Sequence, residues 1–127
     1  MLNIFLGAIN RRFFSSLFFG NKFFILNLVF CLILNLLNWL IAYIKYSLVS
    51  GHIALHYNIY FGVDYFGSPF SIFIMPLAGL IILLINFILA YFVIARTKLL
   101  SYLLIGISSF YQVLLFIATI LVVNLKT

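Results

Sequence analysis

Three apolar runs constrain this chain more than any other feature. Phe23–Ile44 lies between Lys22 and Lys45, Phe70–Ala95 stops at Arg96, and Leu99–Leu125 lies between Lys98 and Lys126. Each is long enough to cross the hydrocarbon core of a bilayer as a helix, which takes about 20 residues. A chain of 127 residues cannot build a water-soluble core that hides three such segments. Hydrophobic residues make up 68% of it and charged residues 6%, so lipid must cover the helices. The expected fold is an all-α membrane protein with three transmembrane helices, over 23–44, 70–95 and 99–125, in a single membrane domain spanning 1–127.

The flanking charges predict an orientation. Arg11, Arg12 and Lys22 precede the first run, and Arg96 and Lys98 occupy the tight turn between the second and third. An amino terminus in the cytoplasm puts these five on one side, leaving Lys45 and Lys126 outside with the carboxyl terminus. That is the positive-inside bias, and a cytoplasmic membrane is the expected location. The net charge of +6 does not point to nucleic acid, because the cations form no contiguous basic face in water. They suit anionic lipid headgroups, so membrane lipids are the first expected partners. Cys31 is the only cysteine and falls mid-span, so no internal disulfide is possible. The first run is too long for the apolar core of a signal peptide and reads as an anchor that stays.

Ahead of it, Leu2, Phe5, Leu6, Ile9, Phe13 and Leu17 recur at helical spacing, and Arg11 and Arg12 interrupt the segment before it could span. Residues 1–20 are expected to form an interfacial amphipathic helix, with Gly20-Asn21 turning into the first span. Ser68-Pro69 reads as a cap and first helical residue of the second span, and Pro76 predicts a kink soon after.

Each span also carries a stripe of small and polar residues. The first holds Asn27, Cys31, Asn35, Asn38 and Ala42; the second Ser71, Gly79, Asn86 and Ala90; the third Ser101, Ser108, Gln112 and Thr119. Steps of three and four in the first, and of four, seven and eight in the other two, keep each set on one helix face. In lipid, helices associate through close approach at small residues and through side-chain hydrogen bonds, so these stripes are expected to face other helices. A proton pathway is a weaker reading, because none of the three runs contains an acidic residue or histidine.

The remaining polar residues gather between the first two spans, in a loop over 46–69. It holds both histidines, His52 and His56, and Asp64, the one acidic residue of the chain. Ile53 to Phe61 has strand-like composition, broken by Gly62 and Gly67. Aromatic residues throughout suit a loop that lies against headgroups and helix ends. His56, Asn58 and Asp64 are suited to pin such a loop internally. His52, His56 and Asp64 are the one conceivable metal set, but in an extended chain the two histidines stand about 13 Å apart. One carboxylate cannot form a catalytic pair and Ser50 lacks a convincing base, so neither an enzyme nor a cofactor is expected.

The run Ile53-Ala54-Leu55-His56-Tyr57-Asn58, followed by Asp64-Tyr65-Phe66-Gly67, resembles a bacterial membrane domain of unknown function found in SdpI-like toxin-immunity proteins. Its loop between two spans reads I-P-x-H-x-N-x-x-G-x-x-D-x-x-G. His56, Asn58, Asp64 and Gly67 match at the same spacing. Ala54 stands in place of the proline, and the first glycine comes one position late, at Gly62. The resemblance covers roughly residues 23–95, and members often have more spans. The chain also looks like small hypothetical membrane proteins of reduced bacterial genomes. Immunity or envelope signalling is what the first resemblance implies.

The expected function is a non-catalytic binding or interaction module that works through the outer loop. Expected partners are lipids and other membrane subunits or further copies of the chain. An accessory structural subunit of a larger membrane complex is the alternative. A holin-like or channel-forming oligomer is a third reading, which has no need of so elaborate a loop.

Overall fold

The computed structural model of the protein describes residues 15–124, with side chains for all of these except 55–58 and 63–65. In order it has a helix α1 (Lys22–Leu48), strands β1 (Ile53–Asn58) and β2 (Gly62–Gly67), and a 3-10 helix Pro69–Phe73. The last leads directly into α2 (Ile74–Val93), and α3 (Lys98–Asn124) follows. The spans Lys22–Leu48, Pro69–Val93 and Lys98–Asn124 are each long and apolar enough to cross a membrane. The chain is an integral membrane protein built on three such helices. Of the interfacial helix expected over 1–20, residues 15–19 are helical and 1–14 lie outside the described residues.

Contacts divide the chain into two compact units, and each long helix contributes a segment to both. One unit comprises the chain up to Leu32 with Ile82–Phe110, the other Ile33–Ile81 with Tyr111 onward.

In the first unit, Phe18 is the pivot. Its ring lies 4.7 Å from Phe24, 5.7 Å from Tyr91 and 6.2 Å from Phe87. Cys31, Leu83, Ala90, Ile94 and Ile105 complete this core. The segment before α1 therefore ends by packing into the unit through Phe18, a residue off the apolar face read from the sequence. Gly20 makes the turn: a Cβ there would collide with the Ser16 carbonyl oxygen. Asn21 caps α1, its Oδ1 accepting from the Phe23 amide at 3.0 Å while its Nδ2 donates to the Tyr102 hydroxyl at 2.6 Å. Between α1 and α3, Ser109 Oγ donates to Asn27 Oδ1 at 2.6 Å and lies 3.5 Å from Cys31 Sγ. Ser101 Oγ donates to the Ala90 carbonyl, tying the start of α3 to α2.

In the second unit, amides take over from aromatic rings. Asn35 Nδ2 donates to the Pro76 carbonyl at 2.9 Å, and Gln112 Nε2 donates to the Gly79 carbonyl at the same distance. Both side chains reach α2 because Gly79 has none. A Cβ on Gly79 would stand 3.0 Å from Asn35 Nδ2, 3.1 Å from Gln112 Oε1 and 3.1 Å from Leu115 Cδ1. Beyond this level, Ala42, Ile53, Ile72 and Val122 form an apolar cluster. Lys45 Nζ donates to the Val123 carbonyl at 2.9 Å, placing a cation on the exposed carbonyls of the last turn of α3.

Pro76 falls earlier in its α-helix than the sequence implies. The kink is expected because Pro76 cannot donate to the Ile72 carbonyl four residues back. Here the span starts as a 3-10 helix and α-helical geometry begins only at Ile74, so Pro76 falls in the first α-helical turn. A missing N–H is harmless there. The helix changes type just before Pro76, between Phe73 and Ile74.

Gly79→Ala is expected to lower unfolding stability in detergent by about 1 kcal/mol, the scale of one interhelical hydrogen bond in lipid. Gly106→Ala, where a Cβ meets nothing within 4 Å, is the control and is expected to leave stability unchanged or slightly raised. Thermal or denaturant unfolding of the purified variants checks both.

Candidate functional site

The polar loop folds as an antiparallel hairpin. Its register pairs Ile53 with Gly67, Ala54 with Phe66, His56 with Tyr65, Tyr57 with Val63 and Asn58 with Gly62. The pairing slips twice. Leu55 is an extra residue on β1 and Asp64 an extra residue on β2, so the two bulges cancel and the strands end in phase. Two glycines allow this path. Gly51, at φ 130°, leads into β1, and Gly62, at φ 76°, closes the three-residue tip Ile59-Tyr60-Phe61 from the left-handed region.

The base of the hairpin is fixed firmly. Ile53 and Ala54 are both 0% exposed, and Ile53 packs with Ala42 of α1, Ile72 of the 3-10 helix and Val122 of α3. Phe73 anchors the return of the chain. Its ring stacks on Trp39 at 5.7 Å and lies 5.4 Å from both Tyr46 and Phe70. Trp39 Nε1 donates to Asn35 Oδ1 at 3.2 Å, so the polar edge of the indole is turned inward. At the other end, Ile59, Tyr60 and Phe61 are 82%, 86% and 83% exposed. A locked base thus carries an apolar tip.

His56 stands on β1 opposite Tyr65, and Asp64 occupies the β2 bulge facing the step from His56 to Tyr57. The backbone therefore brings this pair to adjacent register positions. Asn58 ends β1 opposite Gly62, and Gly67 ends β2 opposite Ile53. The side chains of His56, Asn58 and Asp64 lie outside the described residues, and so does the pinning role expected of them. His52 is exposed and precedes β1. With His56 in a strand, the four-residue spacing does not stack the imidazoles on a helical face.

The stripe residues separate into distinct roles. Asn27 is half-buried and bonded to Ser109, with its Nδ2 donating to the Phe23 carbonyl at 2.9 Å. Asn35, Asn38, Ser108 and Gln112 are buried. Ser108 Oγ donates back to Leu104 of its own helix. Asn86 is half-buried beside the line Pro76, Gly79, Leu83, Phe87, Ala90 that forms the buried face of α2.

Sequence reasoning did not single out Ile53 and Ala54 as anchors. In a short strand between polar residues they carry no periodic signal, and their burial follows from where the three helices end.

Residues 33–80 match the family model for a domain of unknown function (DUF1648). The match covers less than half of the chain. It begins and ends almost where the unbroken segment of the second unit does, so it contains the hairpin, its two flanking helical segments, Asn35 and Gly79. No curated protein and no solved structure matches the chain.

Ile53→Ala is expected to cost the docked hairpin about 2 kcal/mol, at the low end for a buried isoleucine. Hydrogen exchange across 53–67 should accelerate at least tenfold while α1 and α3 keep their protection. Gly62→Ala, strained by its positive φ, is expected to cost about 1 kcal/mol in the same assay.

Proposed function

We propose that the protein is a non-catalytic membrane module that recognises a partner through the hairpin. The observation that carries this reading is the contrast between the fully buried base at Ile53 and Ala54 and the exposed tip at Ile59–Phe61. A hairpin that only closed off the helix ends would have no use for three large apolar residues on its far side. A rigid root and an apolar tip suit docking against another membrane subunit, with Asp64 supplying fixed negative charge nearby. The resemblance to SdpI-like immunity proteins suggests a role in immunity or envelope signalling, and the matched domain of unknown function contains the hairpin. Catalysis has no place in the proposal.

In the same proposal, the hairpin faces away from the cytoplasm of a bacterial cell. Arg96 and Lys98 between the second and third spans, with Arg11, Arg12 and Lys22, support that orientation. In a background where Cys31 is replaced by Ser, His52→Cys is expected to react with an impermeant maleimide in intact cells. Thr97→Cys should react only after permeabilisation. The reverse pattern would invert the topology.

A photo-crosslinking amino acid at position 61 tests recognition directly. A defined protein adduct is expected, reduced at least tenfold by His56→Ala or Asp64→Asn in variants that still accumulate. Crosslinks to lipid alone would overturn the reading. Adducts spread over many sites on one large complex would favour the accessory-subunit alternative.

A further inference from the structure

The amides of the second unit leave hydrogen-bonding capacity unused at depth. Asn38 is 0% exposed, and neither its Oδ1 nor its Nδ2 meets a partner among the described residues. Gln112 is 1% exposed and its Oε1 is equally unmet. Amide orientation does not explain this. Gln112 must turn Nε2 toward the Gly79 carbonyl, because the flipped amide would set oxygen against oxygen, and that directs Oε1 elsewhere. Asn35 is fixed by its bonds to the Pro76 carbonyl and the Trp39 indole, so it cannot turn to serve either neighbour.

Asn35, whose own amide is bonded, relates the positions of the unmet atoms. Asn35 Nδ2 and Gln112 Oε1 approach one point, the missing Cβ of Gly79, at 3.0 and 3.1 Å. Asn38 is three residues further along the same face of α1, a rise of about 4.5 Å. Asn35 thus adjoins Gln112 Oε1 at Gly79 and Asn38 along its own helix, in a segment where hydrocarbon offers no hydrogen bonds.

We propose that Asn38 and Gln112 form an internal hydration site, holding about one or two waters within the membrane-spanning helices. Burial excludes other partners, since no headgroup, second copy of the chain or other subunit reaches an amide that is 0% exposed. The donor–acceptor balance excludes an ion. A cation finds two neutral amide oxygens and no carboxylate, because Asp64, the one acidic residue, belongs to the hairpin. An anion finds a single NH2 group. Water donates to both oxygens and accepts from Asn38 Nδ2, satisfying every unmet atom at once. This site is independent of hairpin recognition.

Water-edited solid-state NMR on the labelled wild-type chain in lipid bilayers tests the proposal. Magnetisation from water is expected to reach the Asn38 side-chain NH2 several-fold faster than the backbone amide of Leu83, a buried residue on α2. Asn38→Leu, close in shape, should remove that signal and slow transfer to the Gln112 NH2. Build-up at Asn38 no faster than at Leu83 would overturn the proposal. A direct Asn38–Gln112 correlation without water transfer would do so equally, showing that the amides satisfy each other.

Discussion

The second unit depends on the close approach that Gly79 allows. Helices in lipid gain nothing by hiding apolar surface from one another, since hydrocarbon is as good a neighbour as leucine. What holds them is short-range contact and hydrogen bonds between groups that lipid cannot satisfy. Asn35 from α1 and Gln112 from α3 both reach carbonyls of α2 within one turn of Gly79. A side chain at that position would hold the amides off. Two donors, two carbonyls and one absent methyl group thus bind three helices at a single level.

The hairpin inherits its order from that arrangement. A two-stranded hairpin is marginal by itself in water, and paired bulges weaken its ladder further. Its fixed position comes from Ile53, wedged against α1, the 3-10 helix and α3 at once. The 3-10 start of the second span belongs to the same design. It lets the chain leave β2 at Gly67, turn at Ser68-Pro69 and still place Phe73 against Trp39. Pro76 is tolerated because α-helical geometry begins so late.

Much of the architecture was legible because it rests on length and composition. Apolar runs of more than twenty residues, framed by lysine and arginine, leave few alternatives, and the three helices begin and end within a few residues of those runs. The inward faces of α1 and α3 were legible for a similar reason: an amide or hydroxyl in lipid has to meet protein, and helical spacing tells which residues meet it together. Asn86 breaks the pattern, since a half-buried amide can lie beside a contact face without joining it. Phe18 and Trp39 escaped the reading because interfacial aromatics and core aromatics look alike in one dimension. The hairpin register escaped it too. Two compensating bulges leave a strand-like composition unchanged while moving Asp64 opposite the step from His56 to Tyr57.

The buried base at Ile53 links the candidate site to the helices. A partner that gripped the tip at Ile59–Phe61, as proposed, would bind a hairpin held in place by Ala42, Ile72 and Val122. Contact that favours the docked hairpin therefore favours the packing of those helix ends by the same free energy, and loosening the ends weakens the grip. A binding surface on an unanchored loop would lack this reciprocity. Here the exposed tip and the buried base lie only a few residues apart on the same short strands. Under the proposed function, an event outside the bilayer core would thereby be coupled to how α1, the 3-10 helix and α3 pack within it.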